Sequence, residues 1–123
     1  MSSAKPMTWA YVAGFTDGDG SILWWVDKKE RIHFQITWGQ IDKSADVIHA
    51  LEAFLNAGGI VCKSRIARQS RKAYGTREMR VLAINRREDI LTILKRITPY
   101  LILKREAALE VAEAIEAGVF SVV

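Results

Sequence analysis

Eight residues, Arg31-Ile32-His33-Phe34-Gln35-Ile36-Thr37-Trp38, alternate polar and apolar side chains without a fault, and this run restricts the fold more than any other feature. In an extended chain successive side chains point to opposite faces. Ile32, Phe34, Ile36 and Trp38 therefore share one face, and Arg31, His33, Gln35 and Thr37 share the other. One face packs and the other is wet. The β-branched and aromatic run Ser21 to Val26 comes just before, separated by the polar turn Asp27 to Glu30, so the two runs form a hairpin.

Helical patterns flank this hairpin, and the arrangement then repeats. Thr8 can cap a helix with the body Trp9 to Phe15, stopped at Asp17-Gly18-Asp19-Gly20. Asp42 or Ser44 caps a second helix carrying Val47, Ile48, Leu51, Phe54 and Leu55 at helical spacing and ended by Gly58 and Gly59. Ile60 to Arg68 and Arg77 to Asn85 read as two more strands, joined by the polar loop Gln69 to Thr76, with Leu82 and Ile84 facing inward. A third helix spans Glu88 to Ile97 and is interrupted by Pro99. The last runs from Leu103 to Ala117, with Ala107, Ala108, Val111, Ala112 and Ile115 inward and Gly118 as its stop. The expected class is α+β, in the order αββαββα(α), with a four-stranded antiparallel sheet covered by helices on one face.

A length of 123 residues suits a single domain over 1–123 and argues against a second core. A chain that is 50% hydrophobic and 26% charged is not composed like a disordered one. Its apolar runs fall far short of the roughly 18 to 20 residues a membrane helix needs, so no membrane partner is expected. Cys62 is the one cysteine, and no secretory leader opens the sequence. Both point to an intracellular setting, in cytoplasm, nucleoid or an organelle matrix, rather than secretion.

Charge is unevenly spread. Lys63, Arg65, Arg68, Arg71, Lys72, Arg77, Arg80, Arg86 and Arg87 face a single acid, Glu78, across the segment 63–87. That balance of +8 leaves −4 for the rest of a chain whose total is +4. A basic block in an otherwise acidic domain is the footprint of a nucleic-acid surface, although a merely solvated basic face has the same composition.

Chemistry concentrates in Tyr11-Val-Ala-Gly-Phe-Thr-Asp-Gly-Asp-Gly-Ser-Ile22. Ala10, Ala13, Gly14 and Gly18 place small residues along the first helix, where each interior glycine costs about 1 kcal/mol relative to alanine. Small residues at this spacing permit another helix to approach closely. Asp17 and Asp19 lie at a helix C-terminus, against the dipole and beside unpaired carbonyls, and a divalent cation is the simplest relief. The alternative is a polar turn feeding the hairpin. A calcium EF-hand loop fails, because the sixth position from Asp17 is Ile22 and the twelfth is Lys28. Neither His33 nor His49 has a partner at zinc-ligand spacing.

The stretch Val12 to Gly20 resembles the LAGLIDADG motif of homing endonucleases in its Ala-Gly-Phe-x-Asp-Gly-Asp-Gly form, and the element order matches that family's core over about Trp9 to Ala117. The resemblance implies that Asp19 and the carbonyl of Gly18 bind the metal, Mg²⁺ or another divalent cation such as Mn²⁺. It implies that Asp17 supports the helix end. Gln40, in Gln40-Ile41-Asp42-Lys43, would position water, and Lys104, closing Pro99-Tyr-Leu-Ile-Leu-Lys104, would be a late catalytic lysine.

A single motif further implies a homodimer with Ala10, Ala13, Gly14 and Asp17 at a two-fold helix interface, cutting both strands of a long, near-palindromic duplex site. The open sheet face would enter the major groove. Arg31, His33, Gln35, Lys63 and Arg65 are the expected base-edge residues, and Arg68, Arg71, Lys72 and Arg77 reach bases or phosphates. Trp24 is expected in the core and Trp25, in phase with Leu23, toward DNA. An intron-encoded RNA maturase or a non-catalytic nucleic-acid binder is the alternative, with intron RNA as its partner.

Overall fold

The structure, a computed structural model, describes the backbone of residues 6–71 and 75–121 and the side chains of 6–68 and 78–121. The strands β1 (Gly20–Val26) and β2 (Ile32–Ile41) follow helix α1 (Trp9–Asp19), and α2 (Asp46–Ala57) leads to β3 (Arg65–Arg71) and β4 (Gly75–Ile84). The helices α3 (Arg87–Ile97) and α4 (Arg105–Glu116) complete the order. All pairings are antiparallel, in the sheet order β1-β2-β4-β3. The expected α+β arrangement is what the chain adopts.

Period two governs the sheet. Phe34, Ile36 and Trp38 of β2 are buried, together with Leu82 and Ile84 of β4, as the sequence pattern requires. Against them pack Val12 and Ala13 of α1, Ile48, Leu51 and Leu55 of α2, Ile90, Ile93, Leu94 and Ile97 of α3, and Ala108 and Val111 of α4, in one continuous core. Among the described residues, no helix lies on the other sheet face. Trp24 corrects an expectation: although it pairs with Phe34 on the packed side, it is 51% exposed, because it sits at the rim of a cleft against Val111 and Ala114.

Several boundaries differ from the sequence reading; the expected loop Gln69 to Thr76, for one, is mostly strand, because β3 runs on to Arg71 and β4 starts at Gly75. The first helix does not stop at Asp17 but continues through Asp19. Asp42 and Ser44 do not cap α2; they lie in a 3₁₀ turn, Asp42–Ser44, and Asp42 accepts from Arg80 Nε at 3.1 Å instead. The third strand begins at Arg65 rather than Ile60, because the side chains of α2 take the backbone donors before it. Asn56 accepts from Cys62 N at 3.0 Å and Glu52 accepts from Ser64 N. Helix α4 begins at Arg105 rather than Leu103, because the N–H groups of 102–104 turn toward Asp17.

At the opposite end, Arg87 lies over the rings of Phe34 and Phe120 at 4.7 and 4.3 Å and donates to Ile32 O and Val119 O. This guanidinium from the basic block is therefore a structural clamp on the segment 119–121. No helix among the described residues is long and apolar enough to cross a membrane.

Candidate functional site

The tip of α1 is built by its own sequence. Thr8 Oγ1 accepts from Tyr11 N at 3.1 Å and starts the helix. Thr16, fully buried, donates from Oγ1 to Val12 O at 2.6 Å and accepts from Trp38 Nε1 at 2.9 Å, which ties the helix to β2. The chain then turns into β1 at Gly20, where a Cβ would stand 2.9 Å from the Thr16 Cα. Only glycine fits that approach, which fixes the last glycine of the motif.

Two acids finish the tip, and they do different work. The carboxylate of Asp17 accepts from Ile102 N at 2.7 Å and from Lys104 N at 3.0 Å, while Lys104 Nζ donates to the Asp17 carbonyl at 2.7 Å. Burial opposes ionisation of Asp17, but the N–H groups of Ile102, Lys104 and Leu103 and the charge of Lys104 outweigh it, so its pKa lies below the usual value. Asp19, by contrast, is exposed, and its Oδ2 accepts from Gln40 Nε2 at 2.9 Å.

Gln40 reaches this acid because β2 runs on to Ile41. By period two Gln40 belongs to the row of Ile36 and Trp38, one step past the last core residue, where the helix tip emerges. The structure thus gathers Asp19, Gly18, Gln40 and Lys104 at one end of the sheet. Arg80, opposite Gln40 in the ladder and paired with Asp42, borders the same end.

The donor set suits a hard cation. Asp19 offers a carboxylate, and Gly18 offers one of the carbonyls a helix end leaves without an internal partner. Among the described residues no group of three His, Cys, Asp or Glu side chains converges. Asp19 and the Gly18 carbonyl would by themselves supply only a fraction of the roughly six oxygens that an ion such as Mg²⁺ takes. Cys62 stands apart: burial, with Glu52 and Asp89, raises its thiol pKa, as befits an inert, partly buried side chain.

Of the expected helix-interface residues, Ala10 and Gly14 are exposed on one stripe of α1 with Gly18, and a Cβ at Gly14 or Gly18 would meet nothing within 4 Å. Ala13 is a correction, since its methyl is fully buried in this chain's own core. The Asp17 carboxylate is likewise taken up inside the chain.

The described residues expected to contact nucleic acid do not all share one face. His33, Gln35 and Arg65 lie on the open face, where His33 stacks on Trp25 at 5.4 Å and bonds Asp27 Oδ2 at 2.8 Å, and Gln35 Nε2 donates to Asn85 at 2.8 Å. Arg31 is exposed at the end of the β1–β2 hairpin, bridged to Ser121. One placement is corrected. Lys63 is exposed but precedes β3, so it does not share a strand face with Arg65. Arg68 lies on the opposite face from Arg65, paired with Glu78 at 3.5 Å. Lys72 lies outside the described residues, and Arg71 and Arg77 are described by backbone register alone, opposite Gly75 and Gln69. Thr16 was missed by sequence reasoning. Its signal was a hydroxyl on the packed side of an otherwise apolar helix face.

No family model and no curated protein sequence matches the chain. Solved structures do. The homing endonuclease I-CvuI in complex with its target in the presence of Ca aligns with a TM-score of 0.65 at 21% identity, over 88% of this chain and 65% of that one. The LAGLIDADG meganucleases I-AabMI and I-CpaMI, each bound to uncleaved DNA, align with TM-scores of 0.66 at 16% and 18% identity. They cover 91% and 89% of this chain, which spans only 38% and 36% of theirs. With the motif on its first helix and this sheet beneath it, the chain has the fold of the LAGLIDADG homing endonucleases.

Proposed function

We propose that this protein is a homodimeric, divalent-metal-dependent endonuclease that makes a double-strand break at a specific, near-palindromic DNA site. The observation that carries the reading is the placement of Asp19, Gln40 and Lys104 around one exposed helix tip, beside a sheet with an open face. The solved neighbours are complexes with DNA, and they give no support to the intron-RNA alternative.

Asp19 and the Gly18 carbonyl would hold the cation, Mg²⁺ or Mn²⁺, which when bound activates water and steadies charge on the transferring phosphoryl group. Gln40 orients the Asp19 carboxylate through its amide and presents its remaining N–H and carbonyl to water. Lys104, fixed at both N and Nζ by Asp17, supplies positive charge at a set position without having to be reorganised during reaction. Dimerisation supplies the second acidic centre that a second strand needs. The exposed stripe Ala10, Gly14 and Gly18 supports it, because among the described residues nothing stands within 4 Å of a Cβ at 14 or 18.

The test is direct. Duplexes retained by the protein from a randomised library are offered with Mg²⁺ or with EDTA, and oligomeric state is read by sedimentation equilibrium. The proposal expects paired-strand cleavage with Mg²⁺ only, by a dimer. Retained duplexes left uncut under all divalent ions, or bound by a lone chain, would contradict it.

A further inference from the structure

The open face of the sheet mixes polar and apolar side chains. Edge strand β1 gives it Leu23 and Trp25, β2 gives it His33, Gln35, Thr37 and Gly39, and β4 gives it Met79, Val81 and Ala83, aligned so that Thr37 faces Ala83 and Val81 stands between Gly39 and Arg65. Leu23 is 46% and Trp25 43% exposed, although no core lies on that side to bury them. Two of its polar residues have partners within the chain: the Gln35 amide donates to Asn85, and the imidazole of His33 is stacked on Trp25 and bonded to Asp27. Arg65 stands at the rim.

We infer, resting on the DNA-cleavage reading above, that the apolar side chains of this face contact thymine methyl groups, so that the base pairs they cover in each half-site are A·T. In the major groove every base pair presents donors and acceptors, and only thymine adds an apolar group. An apolar surface laid on G·C pairs leaves their edges desolvated and unpaired, a cost that rises with each pair covered. Laid on thymines, the same surface buries a methyl group against each side chain. The small residues Gly39 and Ala83 keep the middle of the face low, and a Cβ at Gly39 would reach only to ordinary contact with Val81 at 3.7 Å. The basic block at the β3–β4 end supplies the matching charge for the backbone.

The experiment uses the full chain and a duplex recovered from a randomised library. The recovered site is remade with deoxyuridine in place of each thymidine, which deletes the methyl and keeps the Watson–Crick pairing. Binding should weaken roughly fourfold for each methyl contacted, multiplying across positions. Leu23→Ala and Val81→Ala, both away from the α1 tip, should each shrink the thymidine-to-deoxyuridine ratio at one position of each half-site. Equal binding of both duplexes, a recovered half-site dominated by G·C pairs, or a ratio unmoved by both substitutions would overturn the inference while leaving the endonuclease reading intact. Failure to recover any specific duplex would overturn both.

Discussion

Gln40 Nε2 lies 2.9 Å from Asp19 Oδ2, joining the last residue of the motif helix to the penultimate residue of β2. The contact is exposed, so it adds little to stability, yet it sets the direction in which the carboxylate points. Replacing Gln40 by Ala should leave the melting temperature almost unchanged and slow cleavage on the order of 10²-fold, the scale seen when one preorganised donor is removed. Single-turnover cleavage set beside thermal unfolding distinguishes the two effects. A melting temperature that falls with cleavage unchanged would assign the contact to folding.

Asp17 has the opposite character. Its carboxylate binds the N–H groups of Ile102 and Lys104, and Asp17→Ala leaves both donors to water or to nothing. A loss of about 2 kcal/mol is expected, within the range for hydrogen bonds to charged groups. Faster amide exchange at 102 and 104 would report the freed turn, whereas unchanged exchange would contradict the assignment.

The buried pair Thr16 and Trp38 carries the helix on the sheet. Thr16→Val keeps the shape but strands the indole N–H of Trp38 in the core. The expected cost is about 1–3 kcal/mol, read from denaturant unfolding.

Gly14 separates folding from assembly. Since a Cβ there meets nothing within 4 Å, Gly14→Ala should stabilise a lone chain by up to about 1 kcal/mol through helix propensity. The same methyl stands between two helices in the proposed dimer, so the dissociation constant should rise. Tighter dimerisation measured by sedimentation would contradict the interface.

At the β1–β2 turn, hydrogen bonds from His33 and from Arg31 N, with a smaller part from Lys29 N, lower Asp27 to about pH 2 against some burial. Because the folded value lies below the ordinary carboxylate value of about 3.9, the contribution is complete above that pH and is lost as pH falls toward 2. Exchange protection of the Lys29 and Arg31 amides should therefore be flat from neutral pH to about 4.5 and fall below about 3.5.

Much of this was legible in the chain. The unbroken alternation Arg31 to Trp38 fixed which residues of β2 are inward, and the small residues with Asp17 and Asp19 marked the helix tip. What was hidden lies in contacts between distant segments. Nothing in the run Ile60 to Ser64 shows that Glu52 and Asn56 will take its donors and delay the strand to Arg65. Gln40 reaches Asp19 only because β2 runs on to Ile41, and the turn before Arg105 is set by an acid 85 residues away from Ile102.

Asp19→Asn tests the whole account most directly, because it removes one charge from an exposed side chain and leaves the Gln40 contact and the fold in place. On a duplex recovered by the wild-type chain, the variant should bind with affinity within about threefold of wild type while Mg²⁺-dependent cleavage of both strands disappears. Cleavage at the wild-type rate would show that the tip of α1 is not where the chemistry occurs.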